Sequence, residues 1–539
     1  MIKLIDPRDA YARQPILQID NRTIHINTNR VVGMIPHNSI SYGKSSNGTI
    51  KRKCVISQYN IYCIVGVKQQ YYDDIYVIVS LDEIVKGQIY GHIVEYINTD
   101  RYKQLSCANW TPDKYIKYTQ ANRDDSIRQE YNSYIFSIDP SGCKDIDDAI
   151  SIKRIGDNVY ELGIHIADVT SYIDQGSDID MECYKRVESL YYSDEIRHMM
   201  AARLSCDAIS LIKGERKRAY SIIVTIDNDN IVNTEIRKLW ISVDDNYSYD
   251  AIDDIANNII QSEHRNDIMN GYNIIRNVIR KSLNITRLEY DSHRMVEYCM
   301  IYMNQYMGNY MMNNSRYAIL RIQPSYRNGI TERDIYNHID DIMTYKQIPS
   351  DMTKVLGDKI RQYYQERAIY VLDKSENIAS KRHHSLNIDN YAHVTSPIRR
   401  YADMIAHRIV YNTMIGNNYA PEYIDIEYIN NIHARYQRNV RKYNESKIID
   451  KLEDGAIVTG HIIGYDDDSM RIYIKQLDID IDILVCDKYM KDITHVEYTD
   501  RDIVIRTNGQ PERRYEKLDA INISINKQYG WNIIDRSEG

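Results

Sequence analysis

Residues 139–148 read Asp139-Pro-Ser-Gly-Cys-Lys-Asp145-Ile-Asp147-Asp148, which places four carboxylates in ten positions. Oxygen donors gathered this densely suit hard divalent cations, and phosphodiester chemistry uses such cations to clamp oxygens. Asp147 and Asp148 are adjacent, so a regular strand would send them to opposite faces. On a loop, Asp139, Asp145 and Asp148 could converge while Asp147 orients a water or a second ion. Carboxylates this close repel one another and have raised pKa values when no cation is present. The bland alternative is a solvated acidic turn.

A second cluster shifts the balance toward chemistry. Residues 391–408 contain Tyr391, His393, Thr395-Ser396-Pro397, Arg399-Arg400, Asp403 and His407. A capping hydroxyl followed by proline predicts a helix start, with the helix over Ser396–Met414 and both arginines in its first turn. Backbone N–H groups at a helix N-terminus attract phosphate, and an arginine fork adds charge-assisted hydrogen bonds. Other polar residues have plainer readings. His165 alternates with Ile164 and Ile166 and is expected to be a hydrogen-bonded strand histidine. Asp168 is expected to cap or brace the site's floor.

The elements that must position these groups follow from periodicity. Strand-like runs occur at Gln18–Ile26, Val31–Ile35, Cys54–Val67, Ile75–Ser80 and Gln88–Tyr96, separated by polar turns, and they predict a small β-barrel. Lys51-Arg-Lys53 beside them is either a solvated turn or a phosphate contact. Asp157–Ile166 and Ala219–Ile226 read as strands, and Arg294–Met312 reads as a helix. Residues 430–450 read as a charged helical connector. After it, period-two alternation at Met470–Ile474 and Ile479–Ile483 marks a second small barrel. The 539 residues divide into an N-terminal β-rich region (1–125), a large body (126–450) and a C-terminal barrel (451–539).

Bulk properties narrow the class. The net charge of −8 gives no basic footprint, but nucleic-acid binding depends on where charge lies, and a carboxylate-rich enzyme is acidic in sum. The eight cysteines form no CxxC pair and no zinc spacing, so they read as reduced thiols of a cytosolic protein. There is no signal-peptide-like start and no apolar run long enough for a membrane span. Tyrosine occurs 49 times and phenylalanine once, which calls for many hydroxyl partners in the core.

Five ordered blocks carry a resemblance. They are Ile138–Ile150, Gly163–Thr170, Ser189–Leu211, the helix segment Val296–Asn304 and Tyr391–Arg408. Together they resemble the RNB ribonucleases, the group that includes bacterial ribonucleases II and R and the exosome-associated nuclease. The resemblance implies an α+β fold, with a large RNB catalytic domain flanked by oligonucleotide-binding-type barrels: one or two cold-shock-like before it and one S1-like after it. It implies a 3′→5′ exoribonuclease that hydrolyses single-stranded RNA to nucleoside 5′-monophosphates. The cofactor would be Mg2+, as two ions, with Mn2+ as substitute. Asp139 and Asp148 would be the principal metal ligands, Asp145 would support the metals, and Asp147 would place the second metal and the attacking water. Arg399 would contact the scissile phosphate, with Arg400 beside it on the RNA. Tyr191 would pack on the 3′-terminal nucleotide, Tyr249 would line the channel end, Glu297 would face the ribose, and Glu445 would match a late glutamate near the substrate.

The chain also departs from that family. Ser193 replaces a proline after the tyrosine pair, and the loop that follows is Arg197-His-Met-Met200. Glu297-Tyr298 replaces a double glutamate, Gln323 a histidine and Val394 a phenylalanine. The segment that often carries a stacking phenylalanine is reduced to Leu283–His293, with Tyr290 as the candidate substitute. These changes touch the RNA clamp more than the metal set. A second reading is therefore an RNA-binding or scaffold protein that has lost turnover, and a third is a related Mg2+-dependent nuclease acting on DNA or on RNA–DNA ends. The acidic tail strand suits a protein partner better than RNA. The expected location is cytoplasmic, with an organellar or virus-associated setting as the alternative.

Overall fold

The computed structural model describes residues 127–286, 289–326, 350–373, 381–417, 419–421, 424–466, 469–484, 493–498, 502–507, 513–526 and 530–534. Toward the N-terminus it describes 2–5, 16–19, 22–25, 30–36, 41–44, 48–56, 61–68, 74–85 and 88–106, together with positions 39, 113, 116 and 335. Residues 20, 21 and 26 of the expected strand Gln18–Ile26 lie outside the described residues. The chain forms two compact units. One is built from Met1–Asn109, Ser325–Arg367 and Arg435–Gly539, the other from Trp110–Pro324 and Ala368–Ala434.

The second unit is organised by a seven-stranded sheet. Its strands are β1 (Gln129–Glu130), β2 (Ile135–Asp139), β3 (Asp148–Gly156), β4 (Val159–Ala167), β5 (Arg216–Asp227), β6 (Asn230–Ser242) and β7 (Asp245–Ser248). Their spatial order is β1-β6-β5-β4-β3-β2-β7. Neighbours are antiparallel except β1 with β6 and β2 with β7. Ile150, Ile152, Leu162, Ile164, Ile222 and Val224 are buried on one face and Ala149, Ser151, His165, Ser221 and Ile223 on the other, so the central strands have two covered faces. Helix α1 (Tyr249–Ala256) leaves β7 directly, and Ser248 caps it by accepting from the Ala251 amide. Helix α2 (Ser292–Asn314) is capped by Asp291, and α3 (Tyr401–Met414) is buried along most of its length.

The first unit is β-rich. In its N-terminal part, strand Arg30–Ile35 pairs with Ile75–Val85 on one side and meets Ile50–Ile56 on the other. The pairing therefore returns on itself around a core that includes Val31, Cys54, Cys63, Val65 and Val79. The expected run Cys54–Val67 is two antiparallel strands, Ile50–Ile56 and Ile61–Val67. Lys51-Arg-Lys53 lies on the first of these and not in a turn. Lys51 sits over the Tyr90 ring and Lys53 over Tyr62. The C-terminal part is a five-stranded sheet whose outer strands, Ile479–Leu484 and Gly530–Ile534, come back into contact around one core. The acids of Ile479–Leu484 are balanced: Asp480 pairs with Lys359 at 2.9 Å, and Asp482 lies between Arg441 (3.5 Å) and Arg471 (3.9 Å).

Candidate active site

Sheet register brings the acids together. Asp139 ends β2 and Asp148 starts β3, so residues 140–147 form the connection at one end of the sheet. Its turn is made by Pro140-Ser-Gly142: the Cys143 amide bonds to the Pro140 carbonyl, and Gly142 has φ +81, which favours glycine. Ser210 clamps the next stretch. Its hydroxyl donates to the Lys144 carbonyl at 2.8 Å and accepts the Ile146 amide at 3.0 Å, and the Leu211 amide reaches the Ile146 carbonyl. Asp148 is fixed in register opposite Ile166, and the Ala167 amide holds the Asp147 carbonyl.

The four carboxylates have unequal surroundings. Asp145 accepts from the Tyr191 hydroxyl at 2.7 Å and from the Cys143 thiol at 3.7 Å, with His198 Nδ1 3.8 Å away. Asp147 accepts the Ile398 amide at 2.8 Å and faces Arg399 Nε at 3.3 Å. Asp139 Oδ2 is buried and has no hydrogen-bond partner among the described residues. Burial pushes Asp139 up to about 6, with Asp145 adding to the rise while Ser137 and Arg399 oppose it. Burial likewise lifts Asp147 to about 7 against Arg399 and the Ile398 amide. Asp148 lies well above the usual carboxylate range through burial, then through its neighbours Asp139 and Asp147. One arginine does not offset this concentration of negative charge.

Arg399 is placed by its backbone as much as by Asp147. The Ser189 amide bonds to the Arg399 carbonyl, Glu188 and Arg400 form a β-bridge, and the Tyr401 amide reaches the Val187 carbonyl. Residues 187–191 therefore hold Arg399 and Tyr191 in one framework. The helix expected from Ser396 begins at Tyr401, because Arg400 is extended (φ −137). Asp403, in the first helical turn, instead draws the preceding turn together by accepting from the Ser396 amide and from Arg400 Nη2, both at 2.8 Å. Arg399 and Arg400 thus precede the helix, and the Ile398 amide is committed to Asp147 and is not free for phosphate.

A cavity of about 580 Å3 collects these groups. Asp139, Asp145, Asp147, Asp148, Arg399 and Arg400 line it, as do Tyr191, Tyr249 and Glu297. Glu297 is ion-paired with Arg294. Asn304 of α2 is buried and ties that helix to the wall: its carbonyl accepts the Val394 amide at 2.8 Å, and its amide donates to the Tyr391 hydroxyl at 3.0 Å. Gly308 permits the approach, since a Cβ there would lie 1.8 Å from the Asn390 carbonyl oxygen. Of the sequence-predicted residues only Glu445 lies in the other unit, where it accepts from Trp531 Nε1 at 3.0 Å. Tyr290 is absent from the cavity lining. It packs edge-on against Tyr272 with its hydroxyl buried, so it is a packing residue.

Sequence reasoning missed Asp403, Glu188 and Ser189 as organisers. The only local signal was Asp403 three residues after Arg400. His165 is neutral and structural: Ser151 and Ser221 bond its two nitrogens, and burial lowers it to about 3. Among the described residues, no group of three or more His, Cys, Asp or Glu side chains is assembled in a geometry that could hold a metal ion. The all-oxygen donor set and the orphaned Asp139 oxygen nevertheless fit a hard divalent cation.

Comparison with known proteins bears on the family and the fold. The chain is 25% identical over 360 residues to ribonuclease R 2 of Lactococcus lactis, covering 57% of this chain and 54% of the relative. It thus spans about half the length of that curated relative. The fold is similar to Mycoplasma genitalium RNase R in complex with ribose-methylated single-stranded RNA, with TM-score 0.64, 15% identity, and coverage of 99% of this chain and 93% of that one. It is also similar to yeast Ssd1, described as a pseudonuclease, with TM-score 0.64, 15% identity, and coverage of 92% and 69%. The RNB domain model matches residues 128–416, more than half of the sequence, and the chain belongs to the RNB-domain family.

Proposed function

We propose that this chain is a Mg2+-dependent 3′→5′ exoribonuclease that hydrolyses single-stranded RNA to nucleoside 5′-monophosphates. The observation that carries this reading is the convergence of Asp139, Asp145, Asp147, Asp148 and Arg399 on one cavity that Tyr191 and Tyr249 also line. Family membership and the RNA-bound state of a structurally similar ribonuclease support it. Asp139, Asp145, Asp147 and Asp148 would hold two divalent ions. When bound, such ions stabilise the attacking and leaving oxygens and activate water.

The chain's own groups divide the remaining work. Asp147, fixed by Ile398 and Arg399, orients the attacking water. Arg399 is half exposed, so its guanidinium can meet a phosphate and stabilise charge that develops there. Tyr191 couples the two halves, because the hydroxyl that bonds Asp145 extends from a ring that can pack on a terminal base. Ring stacking grips any base, which gives sequence-independent digestion. Glu297 accepts from a ribose 2′-hydroxyl, the handle that distinguishes RNA from DNA.

The test is 5′-labelled single-stranded RNA with Mg2+, in parallel with Asp148→Asn. A ladder shortening from the 3′ end in wild type alone is the expected result. The likeness to yeast Ssd1 motivates a second reading, an RNA-binding protein without turnover. Tight binding with no wild-type cleavage would establish that reading and sink the first. DNA and 2′-O-methyl ends test the preference for RNA.

A further inference from the structure

Tyr249 lines the cavity, yet its hydroxyl has no hydrogen-bond partner among the described residues. The orientation of its ring must therefore be set by ring contacts. His293 supplies one: the two rings stack with centroids 3.8 Å apart and planes 8° apart. The backbones are joined at the same place. The Ser292 amide donates to Asp253 of α1 at 2.9 Å, and the single proton of its hydroxyl is shared between the Asp253 carboxylate at 2.9 Å and the Tyr249 carbonyl at 3.1 Å. The start of α2 is thus clasped to the start of α1, with the His293–Tyr249 stack as its outer layer. From the next turns of the same helix, Val296, Glu297, Met300 and Ile301 enter the cavity. A stack at this spacing has no room for a base between its rings, so substrate meets only the cavity side or edge of Tyr249.

We propose that His293 is a positioning residue that fixes the Tyr249 ring as a rigid end wall for the 3′ terminus of RNA and so sets where digestion stops. The mechanism is planar contact, so any flat ring at position 293 serves, whether or not it carries charge. A wall backed by a second ring meets the terminal base at one angle, whereas an unbacked tyrosine rotates and blurs the end point. This inference rests on the proposed exoribonuclease reading, and its test separates the two.

The first measurement needs no turnover. On the full-length Asp148→Asn background, a short oligoribonucleotide carrying 2-aminopurine at its 3′ terminus reports stacking by fluorescence quenching. Adding His293→Ala should weaken binding of this probe by about five-fold, with quenching reduced, whereas His293→Phe should retain both. The second measurement uses the otherwise wild-type chain. His293→Ala should raise KM for short oligonucleotides, leave kcat on long RNA unchanged, and spread the shortest product over several lengths. Melting temperature controls for folding.

Quenching and end products identical to the parent in His293→Ala would overturn the proposal while leaving the nuclease reading intact. So would failure of His293→Phe to rescue, or no quenching by the parent. Retained quenching behaviour with no wild-type cleavage would overturn the nuclease reading alone.

Discussion

The same unit contains two buried carboxylate environments with opposite electrostatics. Asp168 is fully buried and compensated. Arg128 and Lys238 both pair with it, the latter at 3.1 Å, and Thr170 donates to its other oxygen at 3.0 Å. Burial alone would raise it, but those two cations hold it well below the usual carboxylate range. In the cluster at 139–148, Asp145 and Asp147 are buried and Asp139 and Asp148 partly so; it concentrates more negative charge, yet it faces chiefly Arg399, which is itself half exposed. One site is compensated within the protein and the other is not. This contrast separates a structural acid from a chemical one better than acidity or burial does.

Charge removal should therefore act in opposite ways at the two sites. Asp148→Asn is expected to reduce cleavage by ~1,000-fold or more while leaving the metal-free protein at least as stable, because it removes a carboxylate crowded by Asp139 and Asp147. Single-turnover RNA cleavage and urea denaturation check the two halves. A stability loss as large as the activity loss would erase the contrast. Asp168→Ala should reverse the pattern. Leaving Arg128 and Lys238 buried without their anion is expected to cost about 3–5 kcal/mol in urea denaturation, with cleavage per folded molecule unchanged.

The pH dependence sharpens the comparison. Asp139 and Asp147, at about 6 and about 7 when folded, titrate near 4 when unfolded. Their folded values are raised, so the native state binds more protons across that interval. Their contribution to stability is fully present below about pH 4 and is lost as pH rises through about 7. Asp168 has the opposite sign: its contribution is present above the unfolded value and is lost as pH falls through its depressed folded value. Calorimetry in EDTA should show the melting temperature falling by about 5 °C between pH 5 and pH 8. Adding Mg2+ should flatten that slope. A metal-free melting temperature that rises over the interval would contradict the uncompensated reading of 139–148.

Much of this site was legible because its chemistry is local in sequence. The run 139–148 is one loop, and Tyr391–Arg408 is one wall with its following helix. What failed was the helix start. Thr395-Ser396-Pro397 has the local signature of a cap, but two long-range contacts decide the backbone: Glu188 bridges Arg400 and Asp147 takes the Ile398 amide. A propensity at 395–397 cannot register contacts with residues more than two hundred positions earlier. Lys51-Arg-Lys53 shows the same limit, since polar residues that suggest a turn sit within a strand paired along its length with Ile61–Val67. Tyr290 and His293 illustrate a finer one. Both are rings in the expected segment, and only the packing of α1 against α2 determines which of them reaches Tyr249.

A third acidic environment supplies the weakest expected effect and shows why counting acids misleads. The period-two strand Ile479–Leu484 resembles 139–148 in acid density, and its charge invited a partner-binding reading. Its alternation places Ile481 and Ile483 in the core. Asp482 is turned away from that core, a third exposed, between Arg441 and Arg471 at 3.5 and 3.9 Å. Water screens such a pair, and ordering two long side chains offsets most of the attraction. Asp482→Asn should therefore cost less than about 1 kcal/mol in urea denaturation, a loss that vanishes in high salt. A salt-resistant loss comparable to that of Asp168→Ala would mean that this strand also holds a compensated buried charge, and exposure would then cease to distinguish the three environments.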